Sequence, residues 1–297
     1  VTESRIGFDS SGRVSDQQQT LAAVATVRGI GFVTGADVTL TFHPAAVDTG
    51  IVFRRTDLPG GPRIPVSAAN SVARDRRTAL AADGAVVEMT EHVLAALAGL
   101  GIDNCAVEVS GGETPGVDGS AAPFVRAILA AGIVAQPASR RPCVVREVIQ
   151  VSDRDSSLAV EPSPDGAFEI DYTLDYSDVP GIGRQRCAVR VAPDVFRWEI
   201  APARTFILDR EINELRQAGL GRNVSAKDLL VFDAKGKPVH SSLRFVDECV
   251  RHKILDIIGD FALLGSPLIG RVIAQKSGHR LNRDMAARLA GSTKMAA

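Results

Sequence analysis

The chain has 297 residues, 45% of them hydrophobic and 23% charged, with a formal net charge of −1. That balance excludes the strongly basic surface of a nucleic-acid binder or a polybasic membrane anchor, and no apolar run approaches the ~18 residues of a membrane span. The length suits about two domains with a core large enough to need no staples, and the four scattered cysteines, Cys105, Cys143, Cys187 and Cys249, read as buried free thiols.

Residues 1–16 read as a poorly ordered lead-in. The segment 1–19 is polar and lacks the apolar centre of a secretory signal, so a cytoplasmic location is expected. Strands are predicted at 25–28 and 38–42, joined by a glycine-rich turn, and again at 50–55 before the turn Pro59-Gly60-Gly61-Pro62. Thr90-Glu91-His92 opens a helix to about residue 100, with Thr90 as its N-cap. A strand at 105–109, a loop at 111–119 and a helix at 121–131, capped by Asp118 or Ser120, follow. The segment 137–142, with a proline at each end, reads as a linker. In the second half, strands are predicted at 144–151, 157–160, 168–174 and 186–191, and helices at 206–217, 245–264 and 281–290. Both halves mix strands and helices without βαβ alternation, which points to an α+β fold in two similar domains, 17–138 and 139–297.

With only five histidines, any histidine site must be built from few residues. His252, Asp256 and Asp260 recur at i, i+4 and i+8 in an otherwise apolar helix, and so share one face. A histidine and an aspartate one turn apart can ligate one zinc ion; taken alone, the pair is also an ordinary surface contact. Glu91 and His92 stand at a helix start, where the dipole favours the carboxylate and a neutral imidazole, a pairing able to supply a general base and a metal ligand. Taken alone, it is also an ordinary cap beside an exposed histidine. His279 follows a Ser-Gly turn and is expected on a loop, where it can reach into a cleft to donate a proton or steady an oxyanion. Thr205 offers a hydroxyl and Phe206 a flat apolar face, although Thr205 also reads as a helix cap.

Taken together and in order, these segments are specific. Thr-Glu-His-Val-Leu-Ala-Ala-Leu-Ala-Gly-Leu-Gly-Ile-Asp-Asn (90–104), Val-Asp-Gly-Ser-Ala-Ala-Pro-Phe-Val (117–125), Ala-Arg-Thr-Phe (203–206), Val-Arg-His-Lys-Ile-Leu-Asp-Ile-Ile-Gly-Asp (250–260) and Lys-Ser-Gly-His (276–279) resemble the motifs of the UDP-3-O-acyl-N-acetylglucosamine deacetylases of lipid A synthesis. The resemblance spans about residues 18–290. It implies two α+β domains with helices packed between two outer sheets and an active site between the domains. It also implies a zinc ion, with ferrous iron as the other candidate, on His92, His252 and Asp256. Glu91 then matches the general base, His279 the group that steadies the oxyanion and protonates the amine, Asp260 the carboxylate that orients His279, and Thr205 a hydroxyl supporting the tetrahedral intermediate. Lys253 and Phe206 match substrate-binding positions. The partner implied is a small-molecule UDP-sugar lipid, met by a monomer with no nucleic acid and no stable membrane insertion.

The sequence departs from the family pattern on the substrate side. Val33 stands where the family has a histidine in Gly31-Phe32-Val33-Thr34-Gly35. Gly219-Leu220-Gly221-Arg222-Asn223-Val224-Ser225 replaces a Gly-Gly-Ser, and no counterpart to a phosphate-linked lysine occurs near Ser157. Arg222 is therefore expected to disfavour long acyl chains. The alternatives are a paralogous zinc deacetylase acting on another N-acetylated sugar and a non-catalytic binding protein of the same fold.

Overall fold

The computed structural model describes residues 16–217, 221 and 228–294. The expected lead-in, apart from residue 16, and the Arg222–Ser225 expectation lie outside the described residues. The architecture is α+β, built on two larger sheets. The first places its strands in the spatial order Ala25–Ile30, Asp37–Pro44, Cys105–Val109, Ile51–Arg55 and Arg63–Pro65. The second runs Ile149–Asp153, Ser156–Glu161, Leu268–Gln275, Phe168–Tyr176 and Gly183–Arg190, with Cys143–Val144 added alongside the first residues of Leu268–Gln275. Setting that short added strand aside, the spatial order in both is first, second, fifth, third, fourth by chain position. In both, the pair formed by the third and fifth strands is parallel and the other pairs are antiparallel.

A parallel pair cannot be closed by a hairpin and requires a crossover. In each half that crossover holds a small three-stranded sheet and then a helix, which leads into the fifth strand. The helices are α1 (Glu91–Gly99) in the first half and α4 (Glu248–Phe261) in the second; the other longer helices among the described residues are α2 (Ala122–Ala131), α3 (Asp209–Gln217) and α5 (His279–Lys294), with a short helical segment over residues 193–200. α1 packs on α4, α2 on Ala25–Ile30, α4 on Phe168–Tyr176 and Gly183–Arg190, and α5 on α4 and Ile149–Asp153. α1, α2, α4 and α5 thus lie between the two larger sheets.

Alternation explains the faces. Val38, Leu40 and Phe42 are buried at every second residue of their strand, as are Leu268, Gly270, Val272 and Ala274 of theirs. After its first two residues, Glu91 and His92, α1 is apolar on every side and sits in the core, with all but one of its residues buried. No described helix is long and apolar enough to cross a membrane. The cysteines are free, three buried and Cys187 partly so.

Several local expectations are corrected. The presumed linker begins within a strand, Ile133–Ser139, paired with Gln17–Leu21; Pro137 falls opposite the register shift between Gln17 and Gln19, where its missing N–H costs no ladder bond. The strand expected at 144–151 is two strands, because Cys143–Val144 pairs with Leu268–Ile269 and Ile149–Asp153 pairs with Ser156–Glu161. The helix expected at 206–217 starts only at Asp209, since Phe206–Leu208 is drawn into a parallel ladder with Leu230–Phe232. The central strand Leu268–Gln275 and the hairpin Ala79–Ala82 with Ala85–Glu88 are elements that sequence reading did not assign.

Candidate metal centre and active site

α1 and α4 meet at a point that only glycine permits. A Cβ on Gly259 would stand 2.1 Å from the Glu91 carbonyl oxygen, so α4 touches the bare backbone of the first turn of α1. This approach brings the His92 and His252 rings to 5.1 Å between centroids at 81°. Asp256 projects from the same face of α4 as His252, one turn on. One ligand atom from each of His92, His252 and Asp256 lies within 4.8 Å of the others, and all three residues are buried.

The hydrogen bonds show what these atoms can bind. His252 Nδ1 lies 3.1 Å from the Ala203 carbonyl oxygen, which can only accept; Nδ1 therefore carries the proton, and the lone pair of Nε2 is directed inward. Asp256 Oδ2 accepts from the Lys253 ammonium, whereas Asp256 Oδ1 is buried 3.4 Å from His252 Nε2 with no hydrogen-bond donor. A buried carboxylate oxygen facing an imidazole lone pair is costly unless a cation lies between them. Two imidazole nitrogens and one carboxylate oxygen suit a divalent transition metal and leave a coordination position open. Charge states agree with that role. Burial, reinforced by the nearby His252, pushes His92 down to about 3, and burial also lowers His252, so both imidazoles are neutral. Burial alone would raise Asp256, but Lys253 and the neighbouring histidines outweigh it and hold the carboxyl well below its usual range.

Two proton-handling groups flank this centre. Glu91, the first residue of α1, accepts the Thr78 N–H at 3.0 Å; burial, with the repulsion of Asp256, pushes its carboxyl up to about 7 against the pull of His279. His279 sits at the start of α5, one residue later than a loop position would be, with Nδ1 2.9 Å from Asp260 Oδ2 and Nε2 3.8 Å from Asp256 Oδ2. Burial opposes its charge, but the Asp260 and Asp256 carboxylates prevail and raise it to about 9. Asp260, wholly buried behind His279, also accepts from the Thr78 hydroxyl and from Asn282 Nδ2 at 2.8 Å.

Eight of the nine residues singled out from sequence, Glu91, His92, Thr205, Phe206, His252, Lys253, Asp256 and His279, line one cavity of about 1300 Å³; Asp260 is the ninth. Thr205 does not cap a helix: its N–H donates to the Gly119 carbonyl at 2.7 Å and its carbonyl accepts from Leu230 at 2.9 Å. Phe206 is held edge-on between Tyr176 and Phe232. Thr90 occupies the N-cap position of α1 without capping it, because its hydroxyl is turned to the Thr78 carbonyl at 3.2 Å. Ser120 does serve α2, accepting the Ala122 N–H at 3.2 Å, and Asp118 braces Ser120 while pairing with Arg244 at 2.9 Å.

Sequence reasoning missed three contributors. Thr78 and Asn282 carry no motif, and only the fold brings them to Asp260. Glu248, with no exposed surface, chelates the Arg204 guanidinium at 2.8 and 3.1 Å and accepts the Arg204 N–H at 3.0 Å, fixing the backbone on which the Ala203 carbonyl meets His252. An acidic residue at the first turn of a helix was the available signal.

Comparison with known proteins accords with this arrangement. The family model described as LpxC, UDP-3-O-acyl N-acetylglycosamine deacetylase, matches residues 18–291. A protein of Anaeromyxobacter sp. (strain Fw109-5) named UDP-3-O-acyl-N-acetylglucosamine deacetylase is 44% identical over 270 residues, 90% of this chain and 86% of that one. Proteins of the same name from Myxococcus xanthus (strain DK1622) and Thermosynechococcus vestitus (strain NIES-2133 / IAM M-273 / BP-1) are 42% and 39% identical. The first match covers 91% of this chain and 85% of the relative, the second 93% and 95%. With the matched region running through both sheets and every residue of the centre, the chain belongs to the UDP-3-O-acyl-N-acetylglucosamine deacetylase family.

Proposed function

We propose that the chain hydrolyses the N-acetyl group of a UDP-3-O-acyl-N-acetylglucosamine to the free amine and acetate, the deacetylation of lipid A synthesis, with zinc on His92, His252 and Asp256. The observation that carries this reading is the placement of a cation-sized donor set between a carboxyl poised near neutrality and an imidazolium. Two nitrogens and one carboxylate suit zinc, and ferrous iron accepts the same donors. When bound, the ion supplies Lewis acidity that polarises the acetyl carbonyl.

The chain's own groups do the rest. Glu91, anchored by the Thr78 N–H, takes a proton from the attacking water as the water oxygen bonds to the acetyl carbon. His279, kept charged and oriented by Asp260, steadies the developing oxyanion and delivers its proton to the nitrogen as the C–N bond breaks. Thr205 supports the oxygen of the tetrahedral carbon. Lys253 binds substrate while bracing Asp256, and Phe206 packs on the sugar. The cavity's shape supports the same substrate: Ile207, Leu229 and Val231 continue from Phe206 as an apolar lining for the acyl chain. Arg74, Arg76, Arg77, Lys276 and Arg280 also line the cavity; each is ion-paired here, Arg74 and Arg77 with Glu88, Arg76 with Glu211, Lys276 with Asp155 and Arg280 with Asp153, and a nucleotide diphosphate would compete with those carboxylates for them. The repeated strand order supports two domains, 17–138 and 139–297, and the reading takes the chain as a cytoplasmic monomer.

The test is acetate release from UDP-3-O-acyl-N-acetylglucosamine by the zinc-loaded protein, with Glu91→Gln as control. The expected result is turnover that falls at least ~100-fold in the variant while one metal per chain is kept. Turnover indifferent to Glu91→Gln, or none from the loaded wild type, overturns the reading.

A further inference from the structure

Thr78 lies just before the strand Ala79–Ala82, at the end of the arginine-bearing loop that borders the cavity, and is 4% exposed. Each of its polar groups is engaged at the centre. Its N–H donates to Glu91 Oε2 at 3.0 Å. Its carbonyl accepts the Thr90 N–H at 3.1 Å and the Thr90 hydroxyl at 3.2 Å, which ties the start of α1 to the same residue. Its hydroxyl donates to Asp260 Oδ1 and lies 3.3 Å from His279 Nδ1.

A hydroxyl has one proton to give. Because that proton goes to Asp260, the Thr78 oxygen is left as an acceptor toward His279, whose Nδ1–H is then shared between Asp260 Oδ2 at 2.9 Å and Thr78 Oγ1 at 3.3 Å. The arrangement fixes the proton on Nδ1 and leaves Nε2 facing Asp256. Asn282 completes the cradle by donating to Asp260 Oδ2 at 2.8 Å.

We propose that Thr78 is a positioning residue for the deacetylation: through its N–H it places Glu91, and through its hydroxyl it places Asp260 and His279. It thereby holds the proton acceptor and the proton donor at a fixed separation. The inference rests on the reading that Glu91 and His279 are the proton-transfer pair. Holding groups in register matters because small misplacements are amplified in rate. Thr78→Val removes the hydroxyl and keeps the N–H and the branched shape; Thr78→Ser keeps the hydroxyl and removes the methyl.

The experiment measures steady-state turnover of wild type, Thr78→Val and Thr78→Ser with zinc loaded. It is combined with proton NMR of the metal-free wild type in the downfield region where a buried Nδ1–H resonates. The expected result is a kcat about 10- to 100-fold lower in Thr78→Val with KM within about twofold, and recovery to within about threefold of wild type in Thr78→Ser. In the metal-free wild type, a slowly exchanging Thr78 hydroxyl proton should show a dipolar cross-peak to the His279 ring. An unchanged kcat in Thr78→Val, or equal losses in the two variants, overturns the proposal, the second outcome assigning the effect to the methyl group. Absence of the protected hydroxyl proton in wild type also overturns it, whether or not either variant folds. Failure of the underlying reading looks different: the wild type itself would not release acetate.

Discussion

Gly259→Ala sets two well-understood effects against each other. Gly259 lies inside α4, where alanine is ordinarily preferred by about 1 kcal/mol. The added Cβ would meet the Glu91 carbonyl oxygen at 2.1 Å, its carbon at 2.9 Å and its Cα at 3.1 Å. Even a tight contact needs 3.0–3.4 Å, so the two helices must separate by about 1 Å. The struck atoms are backbone and cannot rotate aside. Overpacking of this kind costs about 1–3 kcal/mol, and we place this site at the upper end, for a net loss of about 1–2 kcal/mol after the gain in helix propensity. The functional loss is larger in proportion. A 1 Å retreat carries Glu91 and His92 together away from His252 and Asp256, and a misplacement of that size costs on the order of 100-fold in rate. Urea unfolding of the metal-free variant, zinc titration and acetate release measure the three quantities. A variant stabilised by about 1 kcal/mol, with zinc affinity unchanged, would refute the close helix crossing and the account of the site built on it.

Three further outcomes follow from the site's geometry and charges. Glu248→Ala leaves the buried Arg204 guanidinium without its carboxylate and should cost about 3–5 kcal/mol. By loosening the Ala203 carbonyl under His252, it should also weaken zinc binding by about 10- to 100-fold. A loss under about 1 kcal/mol in a thermal melt would contradict it. The pH–rate profile should be bell-shaped. Glu91 must be unprotonated to act as base, so activity rises as pH passes its value of about 7; His279 must be protonated to act as acid, so activity falls above about 9. A cation beside Glu91 shifts the acid limb lower. Asp260→Asn removes the leading support for the His279 charge and should move the alkaline limb toward neutrality; a limb that stays in place contradicts the assignment.

The site was more legible in the sequence than the sheets that carry it. The i, i+4, i+8 stripe of His252, Asp256 and Asp260 sits on a helix whose other residues are apolar, so its direction follows from one period. Glu91-His92 was legible because a helix start has a polarity of its own. Leu268–Gln275 was not, since an apolar run followed by a turn is equally a buried helix or a central strand, and only its partners on both sides decide. Pro137 misled for the opposite reason: it signals a break, and the register shift opposite it accommodates the proline within a ladder. Thr78 and Asn282 could not be found by pattern, because Thr78 lies 182 residues before Asp260, and Asn282, three residues after His279, follows no recognisable spacing rule.

The recurrence of one strand order in both halves has a thermodynamic consequence. His92 and His252 stand on helices that hold the same place in each half, and each is followed seven residues later by a glycine at a tight contact, Gly99 against Phe196 and Gly259 against Glu91. The donor set is thus divided across the seam between the halves, with His92 on one side and His252 and Asp256 on the other. An ion bound there is a clamp as well as a cofactor. Linkage makes the effect reciprocal: the free energy by which the ion tightens the seam equals that by which an intact seam tightens the ion.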